Sequence, residues 1–385
     1  MKNLETLINE LCPDGVEFVK LSQHCEIYDG THQTPKYQES GIPFISVENI
    51  KSIYGSKKYI SQEAYDAYKI KPQVGDVFMT RIGSIGACAV FTQKADIAYY
   101  VSLALLRPNS KVLNSGFLKY IIESSWGEKE LRKRTLVNAV PIKVNKQDIG
   151  KIEIPLPPIE VQIEIVRILD KFTELEAELE AELDCRKRQY EYYRDKLLSF
   201  ENVGGQDVEW KKMSEVCEIN RGKRVVKKEL QESGDYPVFQ NCLTPLGYYK
   251  DYNYPANTAF VISAGAAGNI GFCNKKFWAA DDCLCLTCSD KIISKFVYYV
   301  LMTKQKYILS RVRKASIPRL SRTVIERLSV PIPPLSEQER IVSILDRFES
   351  LTTSLTAGLP AEIAARRQQY EHYRDKLLTF KRKSA

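Results

Sequence analysis

The sequence is short of several things, and each shortage narrows what the chain can be. No run approaches 18 uncharged apolar residues, so no membrane-spanning helix and no membrane partner are expected. The opening stretch MKNLETLINELCPDGVEF is polar and amphipathic, without the apolar centre of a secretory signal. A cytoplasmic, reducing setting is therefore expected, with the ten cysteines as free thiols. Three histidines, His24, His32 and His372, are too few and too scattered for a catalytic triad or a histidine metal site. The Gly-x-x-x-x-Gly-Lys-Ser/Thr phosphate loop is missing. So is the Asp/Asn-Pro-Pro-aromatic tetrapeptide of amino-group methyltransferases, because both Pro-Pro pairs sit in LPPI and IPPL. No catalytic residue, cofactor or metal is expected. Cys283, Cys285 and Cys288, with Cys273 nearby, invite a zinc reading, but DDCLCLTC reads more simply as a buried strand. Its counterpart in the first half is YYVSLALL, with Val101, Leu103 and Leu106 at the cysteine positions.

What is present is a chain of 385 residues, 44% hydrophobic and 27% charged, suited to folding and too long for one core. The net charge is +8 and it is unevenly spread. Between Ile159 and Phe200 there are 11 acidic and 7 basic residues, a balance of −4, which leaves +12 elsewhere. Much of that lies in Lys129–Lys151, Lys211–Leu230 and Lys304–Arg327. Segregated positive charge suits a polyanionic partner.

An internal repeat organises the chain. IPLPPIEVQIEIVRILDKF (154–172) returns as VPIPPLSEQERIVSILDRF (330–348), with ten identities at an offset of 176. RQYEYYRDKLLSF (188–200) returns as RQQYEHYRDKLLTF (367–380), now at an offset of 180. Four added residues are close to one helical turn, so the buried face nearly keeps its phase. Apolar positions from Ile165 through Leu169, Phe172 and Tyr193 to Phe200 step by three and four with one step of seven, as do those from Ile341 through Leu345, Phe348 and Leu355 to Phe380. That spacing predicts two long helices with a coiled-coil seam, pairing with each other. Ser336 and Glu339 suggest a capping box at the second helix, and Gly358 and Pro360 a break within it.

The regions before the two helices echo one another more faintly. GVEFVKLSQHCEI (15–27) matches DVEWKKMSEVCEI (207–219), and GDVFMTRIGSIGACAVF (75–91) matches NTAFVISAGAAGNIGFC (257–273). Short β-branched runs, Gly and Pro turns, and helical stretches at Phe117–Trp126 and Lys295–Met302 predict two compact α+β domains. The expected order is a globular domain over 1–150, a helix over 151–200, a second domain over 201–326 and a second helix over 327–385. The glycine-rich stretches at 83–86 and 263–271 fit either tight turns or close backbone approach to a phosphate.

Repeat order, the Pro-x-Pro-Pro…Gln…Ile-Val-x-Ile-Leu-Asp-x-Phe helix start and the Arg-Asp-Lys-Leu-Leu exit occur together over essentially the whole chain. In these features it resembles a specificity subunit of a type I restriction–modification system. The resemblance implies two target-recognition domains, each reading one half of a split double-stranded DNA sequence, held apart by an antiparallel coiled coil. It implies modification (methyltransferase) subunits as partners, two per chain, and restriction subunits in the full complex. Val161-Gln162 departs from the Glu337-Gln338 pair kept in the second copy. A helix of about 40 residues would span about 60 Å. Base readout is expected from Thr31, His32, Gln33, Lys36, Asn49, Arg81 and Ser84 in the first domain, and from Arg221, Lys223, Arg224, Gln240, Asn241 and Asn269 in the second. The basic clusters add Arg132, Lys133 and Arg134, and Arg311, Arg313 and Lys314, as DNA-binding residues. The competing reading is a coiled-coil scaffold with nonspecific nucleic-acid binding.

Overall fold

The computed structural model describes residues 4–200, 208–353 and 358–383. The seam residue Leu355 and the domain limits at 1, 201 and 385 lie outside the described residues. The chain divides into two compact units, Met1–Leu179 with Ile363–Ala385, and Glu180–Glu362.

In the first unit a four-stranded antiparallel sheet runs in the order Cys25–Asp29, Leu103–Pro108, Val77–Ile82, Ser84–Val90. A smaller sheet joins Tyr59–Ile60, Ile42–Ile45 and Ala98–Tyr99. The strand VFMTRI is apolar on both faces because each face has its own core. Val77 and Met79 pack with Phe117 and Ile121, whereas Phe78 packs with Phe91, Tyr99 and Leu105. The second unit repeats this plan. Cys217–Arg221, Cys283–Cys288, Thr258–Ile262 and Ile270–Cys273 form the large sheet, and Gly247–Tyr249, Tyr236–Phe239 and Trp278–Ala279 the small one. Ala259 and Val261 face Phe296 and Val300, while Phe260 and Ile262 face Phe239 and Phe277.

The repetition extends to register. Glu17 pairs Leu156 and Glu209 pairs Ile332; Phe78 pairs Leu105 and Phe260 pairs Cys285. Gly83 (φ 80°) and Gly265 (φ 82°) occupy the same left-handed turn position, so the glycine-rich stretches serve turns. The cysteine run is the expected strand, with Cys283 and Cys285 in one core and Cys288 opposite Cys217. Its counterparts, however, are Leu103, Leu105 and Pro108 rather than Val101, Leu103 and Leu106.

Both long helices begin immediately after their Pro-Pro pairs, at Ile159 and at Leu335. Ser336 is therefore already inside the first turn, and the Pro334 carbonyl accepts the N–H groups of Glu337 and Gln338 in place of the expected capping box. The first helix runs unbroken to Ser199. The second is helical over Leu335–Thr353 and over Leu359–Leu377, with Gly358 at φ 84°. The stretch expected as one helix over Phe117–Trp126 is two, Ser115–Glu123 and Ser125–Arg132, separated where the Ser124 hydroxyl caps the latter.

Each unit holds an antiparallel pair of helical segments. In the first, Phe172 stacks on Tyr373 (5.7 Å between centroids) and Glu176 pairs with Arg367. In the second, Phe348 stacks on Tyr193 at the same 5.7 Å, and Leu198 joins the core of Ile341 and Leu345. The start of each repeated helix is thus covered by the tail of the other copy. Among the described residues, no helix is long and apolar enough to cross a membrane.

Candidate nucleic-acid interface

Several of the predicted readers lie at one end of the large sheet in each unit. In the first unit, Cys25–Asp29 and Val77–Ile82 finish where Leu103–Pro108 begins, as the pairs Asp29–Ala104 and Thr80–Leu103 show. The chain leaves that end through Gly30, whose backbone lies so close to the Tyr100 carbonyl that a Cβ could not fit. Thr31 then bridges to Tyr100, and its hydroxyl accepts the Gln33 N–H at 3.2 Å. His32, Gln33 and Lys36 follow, exposed on the loop, and Ser84 is exposed on the neighbouring turn.

Five of the predicted residues are already engaged. Arg81 is only 6% exposed and is ion-paired with Asp29, which withdraws it from direct base contact. Asn49 accepts the Ser46 N–H at 3.1 Å and closes the short turn Val47–Asn49. Arg134 ties a helix end together, donating to the carbonyls of Glu130 and Lys151 at 2.8 and 2.7 Å. Lys133 meets Glu130 at 2.6 Å, and Arg132 meets Glu128 at 2.5 Å on the exposed face. Burial pushes the Glu130 carboxyl up, but Lys133, the Glu153 N–H and Arg134 together hold it below the usual range.

The same end in the second unit is freer. Arg221, Lys223 and Arg224 are exposed at the end of the strand Cys217–Arg221, with no ion pair among the described residues. Gly222 again leaves no room for a Cβ beside Ala279 and Ala280. Asn241 is exposed, and its carbonyl accepts the Ala266 N–H at 2.8 Å, which fixes the loop beside the turn at Gly265. Gln240 and Asn269 are half-buried: the Gln240 carbonyl accepts the Cys283 thiol, and the Asn269 carbonyl accepts the Ile262 N–H. Arg311, Arg313 and Lys314 are exposed, Arg311 lying over the Tyr307 ring at 4.9 Å. Burial and Asp281 raise the Asp282 carboxyl, while Arg319 and Arg221 pull it down.

Two cations escaped the sequence reading. Lys143 bridges to Ile82, and Arg319 bridges to Ala264, at matching places beside the turn glycines. The repeat carries the signal that finds them, since they lie 176 residues apart, the offset of the repeated helix start. Among the described residues, no group of three His, Cys, Asp or Glu is placed to hold a metal ion.

The model of the type I restriction–modification DNA specificity domain matches the chain twice, over residues 13–184 and 205–365. A putative type I specificity subunit from Mycoplasma pneumoniae is 35% identical over 235 residues, covering 58% of this chain and 92% of that protein. The EcoR124I/EcoR124II specificity subunit of Escherichia coli is also 35% identical, over 60% of this chain and 63% of its own length. In fold, the chain is similar to the S subunit of a type I system from M. genitalium, with a TM-score of 0.62, 17% identity and 94% and 96% of the two chains covered. A chain from a structure of the assembly of the type I system gives 0.60 at 19% identity, covering 95% of this chain and 98% of that one. Two sheet ends of matching register, each with exposed polar and cationic loops, and a specificity-domain match over each half lead to one conclusion: the chain belongs to the family of type I restriction–modification DNA specificity subunits.

Proposed function

We propose that each sheet-end face reads one half of a bipartite double-stranded DNA target, and that the chain brings partner adenine methyltransferase and restriction subunits to it. The carrying observation is that the same backbone frame is presented twice with different side chains. Thr31 stands where the other copy has Lys223, and Asp29 where it has Arg221. One frame with two side-chain sets is what reading two different half-sites requires. The remaining predicted readers, from His32, Gln33, Lys36 and Ser84 to Gln240, Asn241 and Asn269, supply polar groups on these faces. Arg132, Lys133, Arg311, Arg313 and Lys314 supply phosphate contacts. The repeated helices would form the coiled coil that spaces the half-sites and docks two methyltransferase subunits. The domain limits at 150, 200 and 326 belong to this proposal. The test is to replace residues 201–326 in the full complex with the equivalent segment of a relative and to map methylated adenines. One half of the target should change and the other persist; a change in both would overturn independent reading.

A further inference from the structure

The loops beside the two turn glycines carry exposed apolar side chains that join none of the hydrophobic cores among the described residues. In the first unit the Leu136 N–H donates to the Lys143 carbonyl (2.8 Å), closing a loop whose tip exposes Val137 (69%) and Val140 (100%). In the second, Arg313 and Arg319 exchange backbone hydrogen bonds of 2.8 and 3.1 Å, and the enclosed Ile317 is 54% exposed. Both loops are fixed to the sheet end at the same points. The Gly83 N–H donates to the Ile142 carbonyl and the Gly265 N–H to the Pro318 carbonyl, while Val144 and Leu320 donate to Arg81 and Ser263.

Their surroundings select the occupant. Residues 131–147 contain five cations and no acid, as do residues 311–325. Of these, Lys143, Lys146, Arg313, Lys314 and Arg319 form no ion pair among the described residues. An apolar tip on a basic, anchored loop suits a partner that is anionic outside and carries apolar groups within reach. Duplex DNA has both, with phosphates along its edge and thymine methyl groups in the major groove. We infer that Val137 and Val140 in the first domain, and Ile317 in the second, are specificity-determining residues that read the 5-methyl edge of thymine. This rests on the proposed DNA reading and adds to it a base and an atom.

The experiment uses the assembled methyltransferase complex, with its target first mapped by methylation. Val137→Ser/Val140→Ser and Ile317→Ser alter exposed side chains and leave the anchoring backbone bonds intact. Each variant should lower preference for the cognate over a scrambled duplex by about tenfold through its own half-site, with nonspecific affinity and salt dependence unchanged. Replacing the contacted thymine by uracil should cost wild type a similar factor and the matching variant little more. Unchanged preference, or equal uracil effects in wild type and variant, would each overturn the inference while leaving the DNA reading standing. Loss of methyltransferase association in the variants would overturn it in favour of a protein contact. Absence of cognate preference in the wild-type complex would instead sink the underlying reading.

Discussion

Gln162 accepts the Asn114 backbone N–H at 2.8 Å, and Gln338 accepts that of Ile293 at the same distance. Each amide is fully buried and spends its two N–H groups on carbonyls, Val112 and Pro157 in one copy, Lys291 and Pro333 in the other. One side chain thus joins a Pro-Pro strand exit, a helix start and the segment that precedes the domain's main helix. The identity of this glutamine in both repeats has a physical cause, since a buried amide with every group satisfied has no isosteric substitute.

Gln162→Ala should destabilise the first unit, and Gln338→Ala the second, by about 3 kcal/mol, because backbone groups are left buried without partners. Gln162→Glu should cost at least as much, as an ionised carboxylate can accept from Asn114 but cannot donate to Val112 and Pro157. Thermal or urea unfolding of each variant checks this. Losses below about 0.5 kcal/mol would refute the clamp.

The Tyr120 hydroxyl donates to Asp170 at 2.6 Å, and Tyr299 donates to Asp346 at the equivalent place. Tyr120→Phe and Tyr299→Phe should each cost about 1–2 kcal/mol. The paired Asp170→Ala/Tyr120→Phe variant should lose less than the sum of its parts, which a double-mutant cycle measures directly.

Burial pushes Tyr190 and Tyr370 up to about 12. A phenol raised in the folded state gives stability that is fully present below its unfolded value near 10 and is lost as pH climbs through the folded value. Melting temperature should therefore fall steadily between about pH 10 and 12. Tyr190→Phe/Tyr370→Phe should flatten that fall. An unchanged slope would remove these two phenols as its cause.

On the proposed reading, in which the cations at the sheet ends meet phosphates, DNA affinity should drop steeply with salt. Arg313→Ala and Arg319→Ala should each weaken binding about equally on all sequences and reduce the log–log salt slope by about one. Arg81→Ala should act mainly on stability, since its guanidinium is committed to Asp29. A loss of sequence preference from Arg81→Ala at unchanged stability would reverse that assignment.

Much of this architecture is legible in the sequence because repetition doubles every signal. Gln162, Asp170 and Phe172 recur, and each proves to have a partner that recurs with it. The cysteine strand sits two residues from the register its sequence suggests, and period two explains it, since a shift of two keeps every side chain on its own face. Base readers are less legible because long-range pairing decides which cations are free. Nothing local to Arg81 announces Asp29, 52 residues earlier in the chain. Likewise the sequence near Arg134 does not reveal that its guanidinium closes on the Lys151 carbonyl.

The covering of each helix start by the other copy's tail dictates an order of events during synthesis. Phe172 and its neighbours leave the ribosome long before Tyr370 and Tyr373 exist, and at about 5–20 residues per second the wait is on the order of ten seconds or more. The second unit has its Tyr193 segment in hand before Phe348 arrives, so it can close without delay. The domain begun first is thus finished last, and a chain released just before residue 363 carries a completed second unit and a first unit with a bare aromatic helix face.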